Sequence, residues 1–268
     1  MTRGSGDDRG FALLIVLWAM VLLTLLVTQL TAAGRTELRL AANLRASAAA
    51  EAAADGAIHA AVFHLLDPSG SWLADGAERA LRVPAGQAVV QIEDEAGKIN
   101  PNTASPELLR VLLRRLDADS RTAERVAAAI VDWRFPSSQG QPSGAKERQY
   151  RAAGLDYGPP GAPFRSVAEL GAVLGMTPSL LSRLEPNVSV FTDGDPDPAA
   201  APPAVRQAMR DLRAGAAVSR RRPPRTVSIT VRVIGNAGGR FTRRAAVRLG
   251  STPKEPLIQI LTWEALPT

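Results

Sequence analysis

The sequence predicts an α+β protein: a long N-terminal helix, transmembrane and then amphipathic, packed on a small antiparallel sheet that carries an inserted helical domain. Three observations predict it. A stretch without charge runs from Phe11 to Ala33. Beyond it, Leu40, Leu44, Ala48, Ile58, Val62, Leu65 and Leu66 recur at helical steps, with no proline before Pro68. Alternating segments near Val89 and from Thr226 to Ile234 are separated by capped helical patterns.

The elements follow in chain order. Residues 1–10 are a short polar segment. Residues 11–33, without a charge, would form a helix roughly 35 Å long, enough to cross the hydrocarbon core of a bilayer. A cleavable secretory signal competes, because Thr31 and Ala33 are small, but the core of such a signal is typically about 7–15 residues. Residues 34–100 hold the soluble half of the helix and the first strands, with Val89 to Glu93 alternating apolar and polar. Residues 101–192 form the helical domain, opened by Ser105 as N-cap and Pro106 at the first helical position. Residues 193–225 read as a flexible linker ending in the Arg220–Arg225 run, a solvated connector. Residues 226–268 hold the last strands, at Thr226–Ile234, Phe241–Leu249 and Leu257–Trp263, which complete the sheet.

Composition excludes much chemistry. There is no cysteine among the 268 residues, so thiol catalysis and disulfide staples are out. The two histidines, His59 and His64, lie roughly 140° apart around a helix, unlike an i, i+4 metal pair. No phosphate-binding loop, dinucleotide fingerprint or serine-nucleophile elbow occurs, which predicts that the chain is not an enzyme. The formal charge of +6 is a property of the tail: residues 198–268 carry 13 Lys+Arg against 3 Asp+Glu, and residues 1–197 carry 19 against 23. Such an excess speaks first to solubility and nonspecific binding.

A leader ending Arg9-Gly10, with Phe11 opening an apolar helix that continues into an amphipathic half, resembles the class III signal of type IV pilins and pseudopilins. The resemblance implies cleavage of the Gly10–Phe11 bond by a prepilin peptidase and N-methylation of Phe11. Most pilins carry Glu at the fifth mature position, where this chain has Ile15; the K-type minor pseudopilins of type II secretion share that absence. The same family is indicated by Asp94-Glu-Ala-Gly-Lys-Ile-Asn-Pro-Asn102, Val131-Asp-Trp-Arg134, Phe164–Leu170 and Gly175-Met-Thr-Pro178, in that order.

Two segments, Asn102 through Val131 and Ser166 through Pro178, also match a cap, helix, turn, helix pattern of the helix-hairpin-helix type. DNA-binding versions present backbone N–H groups of a glycine-containing turn to a phosphate. The first turn here is Arg114-Arg-Leu-Asp-Ala-Asp119, with two carboxylates and no glycine, and the second has no basic residue between Gly175 and Arg183. Nucleic acid is therefore not expected as a partner, and a membrane-anchored DNA-binding protein of DNA uptake stands as the alternative.

The resemblance further implies a calcium loop after the Asp-Trp pair. Between Asp132 and Tyr150 only Glu147 is acidic, so the expectation is a degraded site with Asp132 and Glu147 as weak candidates, and no cofactor otherwise. The partners that it implies are other minor pseudopilins, the secretion machinery, the prepilin peptidase and the inner membrane, with secreted protein substrates as further candidates. The head would lie in the periplasm, although Arg35, Arg39 and Arg45 outnumber Arg3 and Arg9 beside the span, which by charge alone favours the opposite orientation.

Overall fold

The computed structural model describes residues 7–67, 70, 72–135, 147–192, 194–212, 225–250 and 255–267. Helix α1 (Asp7–Leu66) is continuous for 60 residues. Its apolar span, Phe11–Gln29, is wholly unburied in the isolated chain and is long and apolar enough to cross a membrane. Its far half changes character. Ala50, Ala54, Ala57, Ile58 and Ala61 form a buried stripe at three- and four-residue steps, and small side chains let a sheet approach closely.

That sheet has five antiparallel strands in sequential order: β1 (Asp75–Val83), β2 (Gly86–Asp94), β3 (Thr226–Gly235), β4 (Arg240–Leu249) and β5 (Ile258–Leu266). One face packs on α1 through Ala88, Val90 and Ile92, Val227, Ile229, Val231 and Val233, and Ala245 and Val247. Alternation supplies this face, since every second residue of a strand points the same way. At the β3–β4 turn the backbone comes so near α1 that a Cβ on Gly239 would lie 2.3 Å from the Ala46 carbonyl oxygen. Only glycine fits there. Arg243 fastens the contact from β4, donating from Nε to Asp55 at 2.8 Å and from an Nη to Glu51 at 2.7 Å. Its guanidinium also stacks 4.7 Å over the Phe241 ring.

β2 and β3 are neighbours, pairing from Gly86↔Gly235 to Asp94↔Val227, yet residues 95–225 lie between them in the chain. The helical domain is this excursion. It contains α2 (Pro106–Arg115), α3 (Ser120–Arg134), α4 (Glu147–Ala152), α5 (Pro178–Leu184) and α6 (Pro203–Asp211), with a core of its own built on Leu109, Leu112, Leu113, Ile130, Tyr150 and Leu170. Caps delimit the helices. Ser105 accepts from the Leu108 N–H before α2, Asp119 from Arg121 and Thr122 before α3, and Thr177 from Leu180 before α5.

The expected α+β architecture is therefore the observed one, with two differences in detail. The sheet begins at Asp75, ahead of the expected strand near Val89, because β1 pairs with β2 from Asp75↔Glu93 to Val83↔Gly86. The stretch 193–225, expected as a flexible linker, holds α6, whose Val205 and Ala208 are fully buried in the helical core. Arg115 of α2 ties it down, 2.7 Å from Asp211. A proline-alanine segment reads as a spacer by composition, but three small apolar residues, Ala201, Val205 and Ala208, suffice to dock one short helix.

Candidate functional site

Three of the motifs singled out in the sequence, Asp94–Asn102, Val131–Arg134 and Phe164, converge on one place, the joint where the helical domain leaves the sheet. Asp94, the last residue of β2, caps a 3-10 turn by accepting from the Ala96 N–H at 2.9 Å. Glu95 turns inward and accepts from Lys98 Nζ at 2.7 Å and from the Ser228 hydroxyl of β3 at 2.6 Å. Glu93 takes a second Lys98 proton at 2.9 Å. Burial alone would lower the Lys98 pKa, but the Glu95 and Glu93 carboxylates outweigh it and hold the ammonium above its ordinary value. A side chain on Gly97 would strike the Ala200 backbone at 2.2 Å, so the turn leading to α6 closes over this one.

The next residues reach into the helical domain. Ile99 bridges Val188 in parallel. Asn100 donates to the Thr192 carbonyl at 2.6 Å. The Asn102 amide grips the backbone of Phe164 twice, accepting from its N–H at 2.7 Å and donating to its carbonyl at 2.9 Å. The Phe164 ring stacks on Trp133 at 5.6 Å and 8°, and the neighbouring Arg134 donates to the Pro101 and Ala104 carbonyls at 2.7 and 2.9 Å. Tyr150 is buried against the same aromatic group and accepts from the Leu174 N–H at 3.0 Å; burial raises its phenol pKa. These residue types serve position: the amides of Asn100 and Asn102 and the Nη groups of Arg134 are matched to backbone partners, while the buried Trp133 Nε1, Arg134 Nε and Thr192 Oγ1 have no hydrogen-bond partner among the described residues.

The two hairpin turns face each other. Arg183 of α5 donates to the Leu116 carbonyl of the first turn at 2.9 Å, and the Cβ direction of Gly175 meets Val126 of α3. The basic residue nearest the second turn, although exposed, is thus engaged by the first turn. The first turn exposes Asp117 and Asp119, whose charges repel phosphate.

The remaining candidates are placed as follows. Gly10 and Phe11 lie within the first turns of α1, and Ile15 is exposed on the apolar span. Asp132 is buried in α3 at 4% exposure, whereas Glu147 is exposed and pairs with Arg151. Residues 136–146, the body of the expected calcium loop, and Arg220–Pro224 fall outside the described residues. Among the described residues no group of three or more His, Asp or Glu is placed to hold a metal ion, so Asp132 and Glu147 do not by themselves fit a calcium site. His59 and His64 are apart in function too: His59 lies 5.6 Å from Trp263, and His64 stacks on Trp72 at 4.6 Å. A cleft of about 490 Å³ opens where the insertion leaves and rejoins the sheet, lined by Asp94, Asp195, Asp197, Arg225, Arg248 and Glu255. Among the described residues its lining mixes acidic and basic side chains.

Residues 80–193, which hold the joint apart from Ala200 and Ser228, match the family model described as "Type II secretion system (T2SS), protein K". Over residues 80–193 the chain is thus similar to protein K of type II secretion. Its fold is also that of a chain in the crystal structure of the GspK-GspI-GspJ complex from the enterotoxigenic Escherichia coli type 2 secretion system, with a TM-score of 0.60 and 18% identity over 88% of this chain and 99% of that one. No curated protein sequence matches the chain. Its apolar helix is compatible with a single-pass membrane anchor. Sequence reasoning missed the Arg243 clamp on α1. Its signal was an arginine at an inward-facing strand position, between the inward Phe241 and Ala245.

Proposed function

We propose that this chain is a K-type minor pseudopilin that initiates or caps the tip of the periplasmic pseudopilus, through which proteins are exported across the outer membrane. The observation that carries the reading is Ile15. After cleavage of Gly10–Phe11 by a prepilin peptidase and N-methylation of Phe11, Ile15 would be the fifth mature residue. In the family, the usual Glu there meets the amino terminus of a neighbouring subunit, and Ile15 cannot. A subunit at the tip needs no such partner above it, and a buried unpaired carboxylate there would be costly. The wide insertion at residues 95–225 supports the same place, since it enlarges the head beyond what a close-packed repeat accommodates.

The reading includes an inner-membrane anchor with the head in the periplasm, and other minor pseudopilins as partners, for which the relative seen as a GspK-GspI-GspJ complex is the support. The chain would do no chemistry of its own and bind no nucleic acid, in keeping with the bond of Arg183 to the Leu116 carbonyl and the acidic first turn. Because α1 runs through Gly10 and Phe11, cleavage requires its first turns to unwind in the peptidase. Amino-terminal sequencing of protein isolated from membranes should return Phe11; a chain starting at Met1 or Gly34 would defeat the pseudopilin processing. Labelled protein should sit at one end of purified pseudopili, and Ile15→Glu should not increase its incorporation. Labels at regular intervals along the filament would overturn the tip assignment.

A further inference from the structure

The two edges of the sheet are built differently. β1 carries Asp75, Glu78, Arg79 and Arg82 in nine residues, with a register shift between Asp75 and Glu78. Charge and irregularity of this kind keep an exposed edge from pairing with another chain. β5 has a single charged residue, Glu264, and no proline. Its outer row of backbone N–H and C=O groups meets no further strand among the described residues.

A bulge in β5 adds a second difference. Ala245 faces Trp263, whereas Val247 faces Ile260 and Leu249 faces Ile258, which leaves Leu261 as the extra residue. In an unbroken strand Ile258 and Ile260 would lie on the face opposite Trp263. The bulge brings all three to the α1 side. There Val247 and Leu249 are buried, but Ile258 and Ile260 remain 40% and 49% exposed, and the adjoining Leu257 is 67% exposed. The chain thus turns apolar side chains to the inner face beside an open hydrogen-bonding edge, and among the described residues they are left uncovered.

We infer that β5 is a docking edge for an extended segment of a different polypeptide, which joins the sheet as a sixth strand and covers Ile258 and Ile260 with its own apolar residues. The row of backbone groups selects an extended chain, and the inward isoleucines select one with apolar side chains on alternate positions. A second copy paired antiparallel does not meet the geometry. Antiparallel pairing of β5 with β5 turns one head by half a revolution about the sheet normal and so points the two α1 helices in opposite directions. Their spans, Phe11–Gln29, could not then share one bilayer. This exclusion rests on the membrane-anchor reading above; the argument from the edge does not.

The test uses the full-length chain in its own cell envelope, with a photoreactive residue in place of Gln259 on β5 or of Glu78 on β1. The expected result is an adduct from the Gln259 position whose cross-linked peptide maps to an extended segment of another polypeptide, with none from the Glu78 position. Ile260→Lys should lower its yield by about fivefold or more. In the isolated complex, amides of residues 258–266 should exchange with solvent at least about tenfold more slowly than in the chain alone, with residues 75–83 unchanged. Should Ile260→Lys lose protection in β2 and β3, and so be misfolded, Leu257→Lys replaces it at a site outside the strand. No adduct at Gln259, equal adducts at both edges, an adduct to a second copy, or a yield indifferent to the lysine would overturn the inference. These readouts do not depend on filament position or amino-terminal processing, so the tip assignment and the docking edge fail separately.

Discussion

The two cores of this protein are held by different means. Around the sheet, α1 presents alanines to alternating valines and isoleucines, and the strands that close the core, β2 and β3, are separated by residues 95–225. In the helical domain, leucines and a Trp133–Phe164–Tyr150 group are organised by local caps and short connections. One core depends on a long-range pairing and close approach, the other on bulk and local geometry. They meet at a polar joint. What this teaches is that the joint residues, although charged and motif-like, set the relative position of two bodies that could each bury apolar surface without the other.

The largest effect is therefore expected where the bodies are coupled. Lys98→Met leaves Glu95, whose side chain is 5% exposed, without its ammonium partner, and removing one member of a buried pair costs about 3–5 kcal/mol. Thermal unfolding should split, with the helical core and the sheet core melting apart. Adding Glu95→Leu should recover much of the loss, because replacement of a whole buried pair by apolar side chains is often neutral. The pH dependence has a definite sign. The folded Lys98 pKa is raised, so its contribution is complete below the unfolded lysine value of about 10.4 and fades as pH rises through the folded value. Denaturant melts from neutral pH to about pH 10 should show this contribution unchanged. A loss near neutrality that Lys98→Met abolishes would contradict the assignment.

The second effect separates close approach from bulk. Ala54 is fully buried against the sheet, and Ala54→Leu should destabilise the head by about 1–3 kcal/mol through overpacking. Leu14→Ala, on the span where Leu14 is 54% exposed, should leave head unfolding unchanged and alter only membrane association. Urea denaturation of the two variants in the same detergent checks both. Equal effects would mean that the halves of α1 are not as distinct as their burial indicates.

Much of this arrangement was legible in the sequence, for physical reasons that differ by element. The apolar span and the strands at Val89 and Thr226 announce themselves because one environment contacts every residue or every second residue. Ser105-Pro106 and Thr177-Pro178 read as helix starts because a cap is a local device. β1 was not legible: Asp75-Gly-Ala-Glu-Arg-Ala-Leu-Arg-Val83 is an edge strand, charged for the reason that makes it an edge. α6 was hidden by proline and alanine, and its docking through Val205 and Ala208 depends on a groove formed by other helices. At the joint, the Asp-Glu-x-Gly-Lys-x-Asn run was visible as a motif, but its partners, Ser228, Thr192 and Phe164, lie far along the chain. Spacing does not report such pairings.

A third, smaller effect tests the local order of the helical core. Ser105→Ala removes the acceptor of the Leu108 N–H at 3.2 Å and should cost about 0.5–2 kcal/mol. If the cores are as independent as the comparison holds, hydrogen exchange should speed up in α2 and its neighbours while β3 and β4 keep their protection. Acceleration in both would show a single cooperative unit.

The smallest effect has the opposite sign and lies at the end of the same helix. Asp117 follows α2 with a φ of 62°, in the left-handed region. The chain there closes as a Schellman-type turn, the Ala118 N–H bonding to Leu113 at 3.1 Å and the Asp117 N–H to Arg114 at 3.3 Å. An L-residue in this region is strained by about 1–2 kcal/mol, less for Asp than for most, while glycine occupies it freely at the expense of a more flexible unfolded chain. Asp117→Gly removes the strain and also withdraws a carboxylate from the negative end of the α2 dipole, where cations are preferred. These gains exceed the entropic penalty of about 0.5–1 kcal/mol, so the variant should be stabilised by a few tenths of a kcal/mol to about 1 kcal/mol. Chemical denaturation resolves a change of that size, and Asp117→Ala provides the control. Alanine removes the charge but keeps a Cβ, so it should be no more stable than the parent. If Asp117→Ala stabilised as much as Asp117→Gly, charge at the helix end would account for the effect and backbone strain would not.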